Sequence, residues 1–211
     1  MKITIIGATG MVGGRVVTEA LRRGHDVTAV SRSAATQTGH SDASWVSADA
    51  TDTEVLRTHL AAADAVVLTI RADPGSESTL GETTTRVIDV AVASGSRLLV
   101  VGGAGPLRSP ERPGALVVDD PSYVPPEWRA LAVASIEQLR ACQRRSDADW
   151  TYLSPPALLL PGERTGSYRR GTDTLLVDAG GRSEISAEDL AVAVLDELES
   201  PSGLRRMTVA Y

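Results

Sequence analysis

A doubly wound, mostly parallel α/β sheet is the fold this sequence predicts, and three observations predict it. Short apolar runs rich in Val, Ile and Leu alternate with longer amphipathic stretches along the chain, the pattern of repeated βα units. A glycine-rich turn joins the first run to the first amphipathic stretch. The hydrophobic residues, 42% of 211, are almost all aliphatic: only 3% of the chain is aromatic and Phe is absent. Such a core suits strands buried on both faces. The length fits one domain over residues 1–211, with residues 155–211 expected to add a small C-terminal lobe on the substrate side.

In chain order, residues 3–6 read as strand one and 11–23 as a helix closed by Gly24. Residues 27–30 form strand two, 45–47 a short third strand, and 52–60 a helix with a capping residue at its start. Strand four is expected at 65–70, a long helix at 79–94 ended by Gly95, and strand five at 98–101. Residues 102–126 are rich in Gly and Pro and read as a long loop, a length often found in functional lids. A helix follows at 127–145, then strand six at 150–153, stopped by Pro155 and Pro156. The rest predicts a short strand at 175–177, a helix opened by Ser186 and Asp189 in capping-box-like spacing, and a last strand at 207–210.

Composition excludes several function classes. A net charge of −6 argues against nucleic acid bound through a broad basic surface. No apolar run reaches the length of a bilayer span, so no membrane partner is expected. The N-terminus enters a strand at once, without the succession of a signal peptide, and the single Cys142 cannot form an internal disulfide. A cytoplasmic monomer or homodimer is the expectation. The only lysine is Lys2, which removes lysine as a catalytic group beyond the first strand. His25, His40 and His59 read as surface residues with no metal-ligand spacing.

The strongest motif is Gly7, Gly10 and Gly13, directly after strand one. Gly7 lets the chain turn sharply, Gly10 lets backbone approach a pyrophosphate, and Gly13 lets helix and strand pack closely. The helix N-terminus beyond offers unpaired N–H groups and a positive dipole end. Preceded by a strand and followed by a helix, the triplet has the context of a Rossmann-type dinucleotide site. Gly7, Thr9, Gly10, Met11, Val12 and Gly13 are therefore expected around the pyrophosphate.

After strand two, an NAD-selective site places an acidic residue for the ribose 2′-hydroxyl. This chain has Ser31, Arg32 and Ser33 there, with no acidic residue between Val27 and Ser41. A guanidinium at Arg32, helped by the hydroxyls of Ser31 and Ser33, suits a 2′-phosphate, so NADPH is expected over NADH; a solvated Arg in a turn is the alternative. Asp49 either accepts from the adenine amino group or, like Asp52, caps the next helix. Thr69, Ile70 and Arg71 end strand four, and Gly102, Gly103 and Ala104 follow strand five. Both ends border the crevice where open α/β sheets bind ligands. Arg71 could instead meet an acidic substrate or be solvated.

Beyond the glycine loop, the matching pieces are residues 100–105 (Val-Val-Gly-Gly-Ala-Gly), 149–157, 161–166 (Pro-Gly-Glu-Arg-Thr-Gly), 171–178 and 185–193. With these the chain resembles the atypical short-chain dehydrogenase/reductases over essentially its whole length. It most resembles their NADH-flavin reductase family, related to NmrA-like and biliverdin reductase B-like proteins. The resemblance implies a Rossmann fold, a nicotinamide site on these loops, with Pro155 beside it, and a reductase role. One departure is Pro106, where relatives often carry Ser after Gly-Gly-Ala-Gly, so no catalytic serine is carried over.

Most short-chain dehydrogenases pair Tyr with a Lys four residues on, which lowers the phenol pKa. No Lys follows Tyr123, Tyr152, Tyr168 or Tyr211, and Arg cannot titrate in its place. Hydride transfer to a flavin (FMN or FAD) or quinone asks less of a protein acid than ketone reduction does. The expected partner is therefore a small-molecule hydride acceptor. A non-catalytic NADP(H) sensor of the NmrA-like kind and a tailoring reductase or isomerase are the alternatives. Tyr123, in the long loop, is the one catalytic candidate, or else anchors that loop. Trp128 and Trp150 read as packing anchors.

Overall fold

The computed structural model describes residues 1–33, 42–73 and 75–211; His40 lies outside them. The chain runs β1 Lys2–Ile6, α1 Met11–Arg22, β2 Asp26–Ser31, β3 Ser44–Ser47, α2 Thr53–Leu60, β4 Ala65–Leu68 and α3 Leu80–Ser94. It continues with β5 Arg97–Val101, α4 Arg129–Gln143, β6 Trp150–Ser154, β7 Leu158–Leu160, β8 Arg169–Gly171, β9 Glu184–Ser186, α5 Ala187–Glu199 and β10 Arg206–Ala210.

Eight strands form one sheet in the order β3-β2-β1-β4-β5-β6-β10-β8. All neighbours are parallel except β8 against β10, which is the doubly wound fold the sequence predicts. The period-2 alternation of strand side chains divides the core between two faces. Ile3, Ile5, Val67, Leu99 and Val209 pack on one face against Val16, Val17 and Ala20 of α1 and Leu190 and Val194 of α5. Ile6, Val66, Leu68, Val100 and Tyr152 pack on the other against Leu56 of α2, Ile88 of α3 and Leu139 of α4. Cys142 is fully buried there, and burial pushes its thiol up to about 12. Among the described residues no helix is long and apolar enough to cross a membrane.

The structure departs from the sequence expectations in the C-terminal quarter. Residues 175–177 form no strand; Leu175 instead buries with Leu107 and Val117 beneath the long loop, its N–H donating to the Arg108 carbonyl at 3.0 Å. Besides β10, the strands that form there, β7, β8 and β9, are three residues each, too short to carry a period. β7 and β9 pair with each other. Strand four ends at Leu68, two residues early, although Thr69 N–H still donates to Ile6 O at 2.9 Å. The capping box of α5 is half formed. Ser186 Oγ accepts from Asp189 N–H at 2.9 Å, but the Asp189 carboxylate turns away to Thr165, Gly166 and Tyr211. Tyr211 Oη takes the Ser186 N–H in its place.

Candidate functional site

A cleft of about 1260 Å³ opens over the carboxyl ends of the parallel strands. It is walled by the β1–α1 turn, the segments after β2, β4 and β5, part of α4, and residues 155–160 and 181–184. A smaller depression, about 210 Å³, lies at the opposite end of the strands around Lys2 and Asp26.

At the centre of the cleft stands the glycine turn. Gly7 adopts φ +87°, and a Cβ there would lie 2.6 Å from the Thr69 carbonyl oxygen. A Cβ on Gly10 would meet two backbone oxygens, Gly7 O at 3.2 Å and Thr69 O at 4.0 Å, and no side chain, so its outer side is open. No side chain caps the N-terminus of α1 and no acidic residue stands in its first turn. Its amides thus point unmasked at the cleft, the arrangement that receives an anion. Thr9 Oγ1 hydrogen-bonds Ser31 Oγ at 2.6 Å and ties this turn to the end of β2.

Beyond β2, Arg32 donates to both oxygens of Asp73, at 2.8 and 3.3 Å. This exposed pair holds the Asp73 carboxyl below its usual range. Asp49 also lines the cleft, but its Oδ1 accepts from both the N–H and the hydroxyl of Thr51, at 2.8 and 2.6 Å. Those bonds, chiefly the Thr51 hydroxyl, lower its pKa against the penalty of burial. The helix cap is Asp52, which accepts from Val55 N–H.

At the β5–β6 end, Gly102, Gly103, Ala104, Pro155 and Pro156 form the wall, the prolines in trans. The glycines have a packing cause as well. A Cβ on Gly102 would fall 1.9 Å from the Tyr152 hydroxyl, and one on Gly105 would fall 2.3 Å from the Ala132 carbonyl. Tyr152 is fully buried, accepts from Gly103 N–H at 3.4 Å and donates to Ser135 O at 2.8 Å. Burial drives its pKa strongly upward. Arg206 reaches Pro106 O at 3.0 Å and pins the start of the long loop.

Of the residues expected to touch a dinucleotide, all line the cleft except Gly13 and Ser33. Gly13 is buried behind it, where a Cβ would come 2.1 Å from Gly7 O; its role is the close helix packing expected of it. Of the two parts expected of Tyr123, its contacts are those of a loop anchor. It lines the cleft, packs beside Leu107, Val117 and Leu175, and donates to Glu111 Oε1 at 3.4 Å. Burial, with the Glu111 charge, raises its pKa. Trp150 is a buried anchor, but Trp128 is not: 49% exposed, it lines the cleft under the Arg71 guanidinium, 5.2 Å from its ring centroid. His25 is no bare surface residue either, since it contacts Glu199 at 2.8 Å. Asp73, Leu131, Ser135 and Gln138 also line the cleft and were missed from sequence. The last three share one face of α4, a spacing that could have revealed them.

The C-terminal segment is fastened to the glycine-turn helix by charge. Arg164 donates to both oxygens of Glu19 on α1, each at 2.7 Å, and Arg23 adds a third bond at 2.8 Å. Glu188 of α5 accepts from Arg15 at 2.6 Å and from Gly162 N–H at 2.7 Å.

A parallel sheet in this strand order, with an uncapped helix N-terminus beside a glycine turn, defines a dinucleotide-binding α/β protein. The chain belongs to the NAD(P)H-binding family, whose model matches residues 7–201, and it is of the atypical short-chain dehydrogenase/reductase kind. It is 41% identical over 203 residues to the protein YwnB of Bacillus subtilis (strain 168), covering 95% of this chain and 93% of that one. It is 33% identical over 198 residues to the 3-diazoavenalumate denitrifying reductase of a Streptomyces species, covering 85% of this chain and 63% of that one. Among solved structures, a putative NADH-flavin reductase from Streptococcus pneumoniae TIGR4 superposes with a TM-score of 0.84. That structure is 30% identical, with 100% of this chain and 99% of that one covered.

Proposed function

We propose that the protein is an NADPH-dependent oxidoreductase that passes hydride to a flavin, a quinone or a similar conjugated acceptor. The observation that carries this reading is the cleft lining: an anion-receiving helix end flanked by Arg32 on one side and Gly102–Pro155 residues on the other, with Tyr123 the one tyrosine and no lysine. The residues fit the dinucleotide, because the space over Gly10 is open to a pyrophosphate and the α1 amides are uncapped.

In this reading Gly7, Thr9, Gly10, Met11 and Val12 hold the pyrophosphate, and Gly13 sets the helix close enough to do so. Arg32 takes the 2′-phosphate, with Ser33 next to it in the chain but outside the lining, Asp49 borders the adenine, and Thr69 and Ile70 floor the middle of the cleft. Gly102, Gly103, Ala104 and Pro155 wall the nicotinamide, which supplies the hydride when bound. The chain works as one domain, with residues 155–211 closing the substrate side and the long loop covering the acceptor. Orientation and exclusion of water are what these residues contribute. Tyr123, a protonated phenol with its pKa raised by burial, walls the acceptor pocket; with no lysine in the lining to activate it, water protonates the reduced acceptor. The reductase names of two similar proteins support the reaction class.

The test is NADPH oxidation followed by absorbance, with FMN and with menadione, against a no-enzyme control. Saturable, protein-dependent turnover is expected. Tight NADPH binding without turnover on any conjugated acceptor would overturn the reductase reading in favour of an NADP(H) sensor.

A further inference from the structure

Resting on that reading, we propose that the acceptor is a planar conjugated compound bearing a negative charge, its anionic group on Arg71 and its ring against Trp128. Three arginines line the cleft. Arg32 is held by Asp73 and Arg182 by Glu184. Arg71 alone of the three has no carboxylate partner among the described residues, although the chain has more acidic than basic side chains. Its guanidinium instead lies over the Trp128 ring at 5.2 Å.

That stacking uses only one face of the guanidinium and leaves its in-plane N–H donors for a carboxylate, sulfonate or phosphate. Trp128 is half exposed, so the indole still has surface for a second flat partner. Around it, Tyr123, Val124, Pro125 and Leu131 continue the wall with apolar surface. The place in the fold sets this pair apart from Arg32, on the nicotinamide half of the cleft. Arg71 follows β4 and Trp128 precedes α4, on the far side of β1 from β2 and Arg32. The glycine turn and the α1 amides already serve the pyrophosphate between them. A lone cation on a half-exposed indole, rimmed by apolar side chains, is the recognition chemistry for a flat anion.

The experiment measures acceptor binding by calorimetry to protein saturated with NADP+, using matched probes. Naphthoquinone sulfonate against menadione tests an anion on the ring, and FMN against lumiflavin tests one on a side chain. Wild type is expected to bind the charged member of at least one pair about tenfold tighter or more. Arg71→Gln should erase that preference and leave menadione and NADPH binding within about twofold. Trp128→Leu should weaken charged and neutral rings alike. Equal affinity for charged and neutral probes in wild type would overturn the proposal. So would loss of NADPH binding in Arg71→Gln, since it would return Arg71 to the cofactor. Failure of wild type to bind NADP+ would sink the reductase reading itself, a result distinguishable from either.

Discussion

The Arg32 guanidinium is clamped by the Asp73 carboxylate, at 2.8 and 3.3 Å, across the cleft end where β2 gives way to its turn. A 2′-phosphate arriving at Arg32 meets an anion already in place, and must share the guanidinium with it or displace it. Asp73→Asn is therefore expected to tighten NADPH binding roughly 2–5-fold while NADH binding hardly moves. Fluorescence titration of both nucleotides reads the difference, and the gain should shrink in high salt. Unchanged NADPH affinity would mean that the phosphate does not approach this pair.

Gly13 and Gly14 are adjacent on α1 but differ in what a methyl group would meet. At Gly13 a Cβ falls 2.1 Å from Gly7 O and 2.7 Å from Thr69 Oγ1; at Gly14 its nearest neighbour is Ala8 O, at an ordinary 3.5 Å. Gly13→Ala should destabilise by about 1–3 kcal/mol and weaken NADPH binding, because α1 must move off the turn. Gly14→Ala should leave binding intact and raise stability by about 0.5–1 kcal/mol through helix propensity. Thermal melts with and without NADPH separate the two.

Glu19 makes stability depend on acid. Its side chain is only 5% exposed. Hydrogen bonds from Arg164, opposed by burial and aided by Arg23, bring its pKa from an ordinary 4.5 down to about 2. A depressed carboxylate stabilises the fold above its unfolded pKa and loses that contribution as pH falls toward the folded value. Glu19→Gln should cost on the order of 3 kcal/mol near neutrality. The gap to wild type should narrow between about pH 5 and pH 2, which urea midpoints across that range would show. A gap that does not change with pH would mean the carboxylate is not held this way.

Tyr152 supports the cleft floor from behind its lining, a position that predicts no part in proton transfer. Its hydroxyl is buried on Ser135 O and Gly103 N–H. Tyr152→Phe should cost about 1 kcal/mol in stability and leave turnover within about threefold. Gly102→Ala, whose Cβ would strike that ring at 1.9–2.0 Å, should be worse on both counts. A large kcat loss in Tyr152→Phe at unchanged stability would make it catalytic after all.

What was legible in the sequence follows from how far each signal is local. Strand and helix period, the glycine turn and the Arg32 position are read within a few residues, and the structure places Gly7, Gly10 and Arg32 on one cleft. The Arg32–Asp73 and Arg71–Trp128 contacts span 41 and 57 positions and depend on how two loops settle. No local pattern encodes them. The aromatic at Trp128 read as an anchor because aromatics are usually buried, yet its position at the start of α4 leaves it facing the cleft. The Arg164–Glu19 clamp was invisible for the same reason as the others, although Arg164 lay inside a recognised segment.

The central claim, that an NADP-type dinucleotide lies along this cleft with its 2′-phosphate on Arg32, is tested most directly by the dissociation constants of NADPH and NADH for wild type and Arg32→Glu. Wild type should favour NADPH by about tenfold or more, and Arg32→Glu should abolish or invert that preference with little loss of NADH affinity. Equal binding of the two nucleotides to wild type, or an unchanged preference in Arg32→Glu, would contradict it.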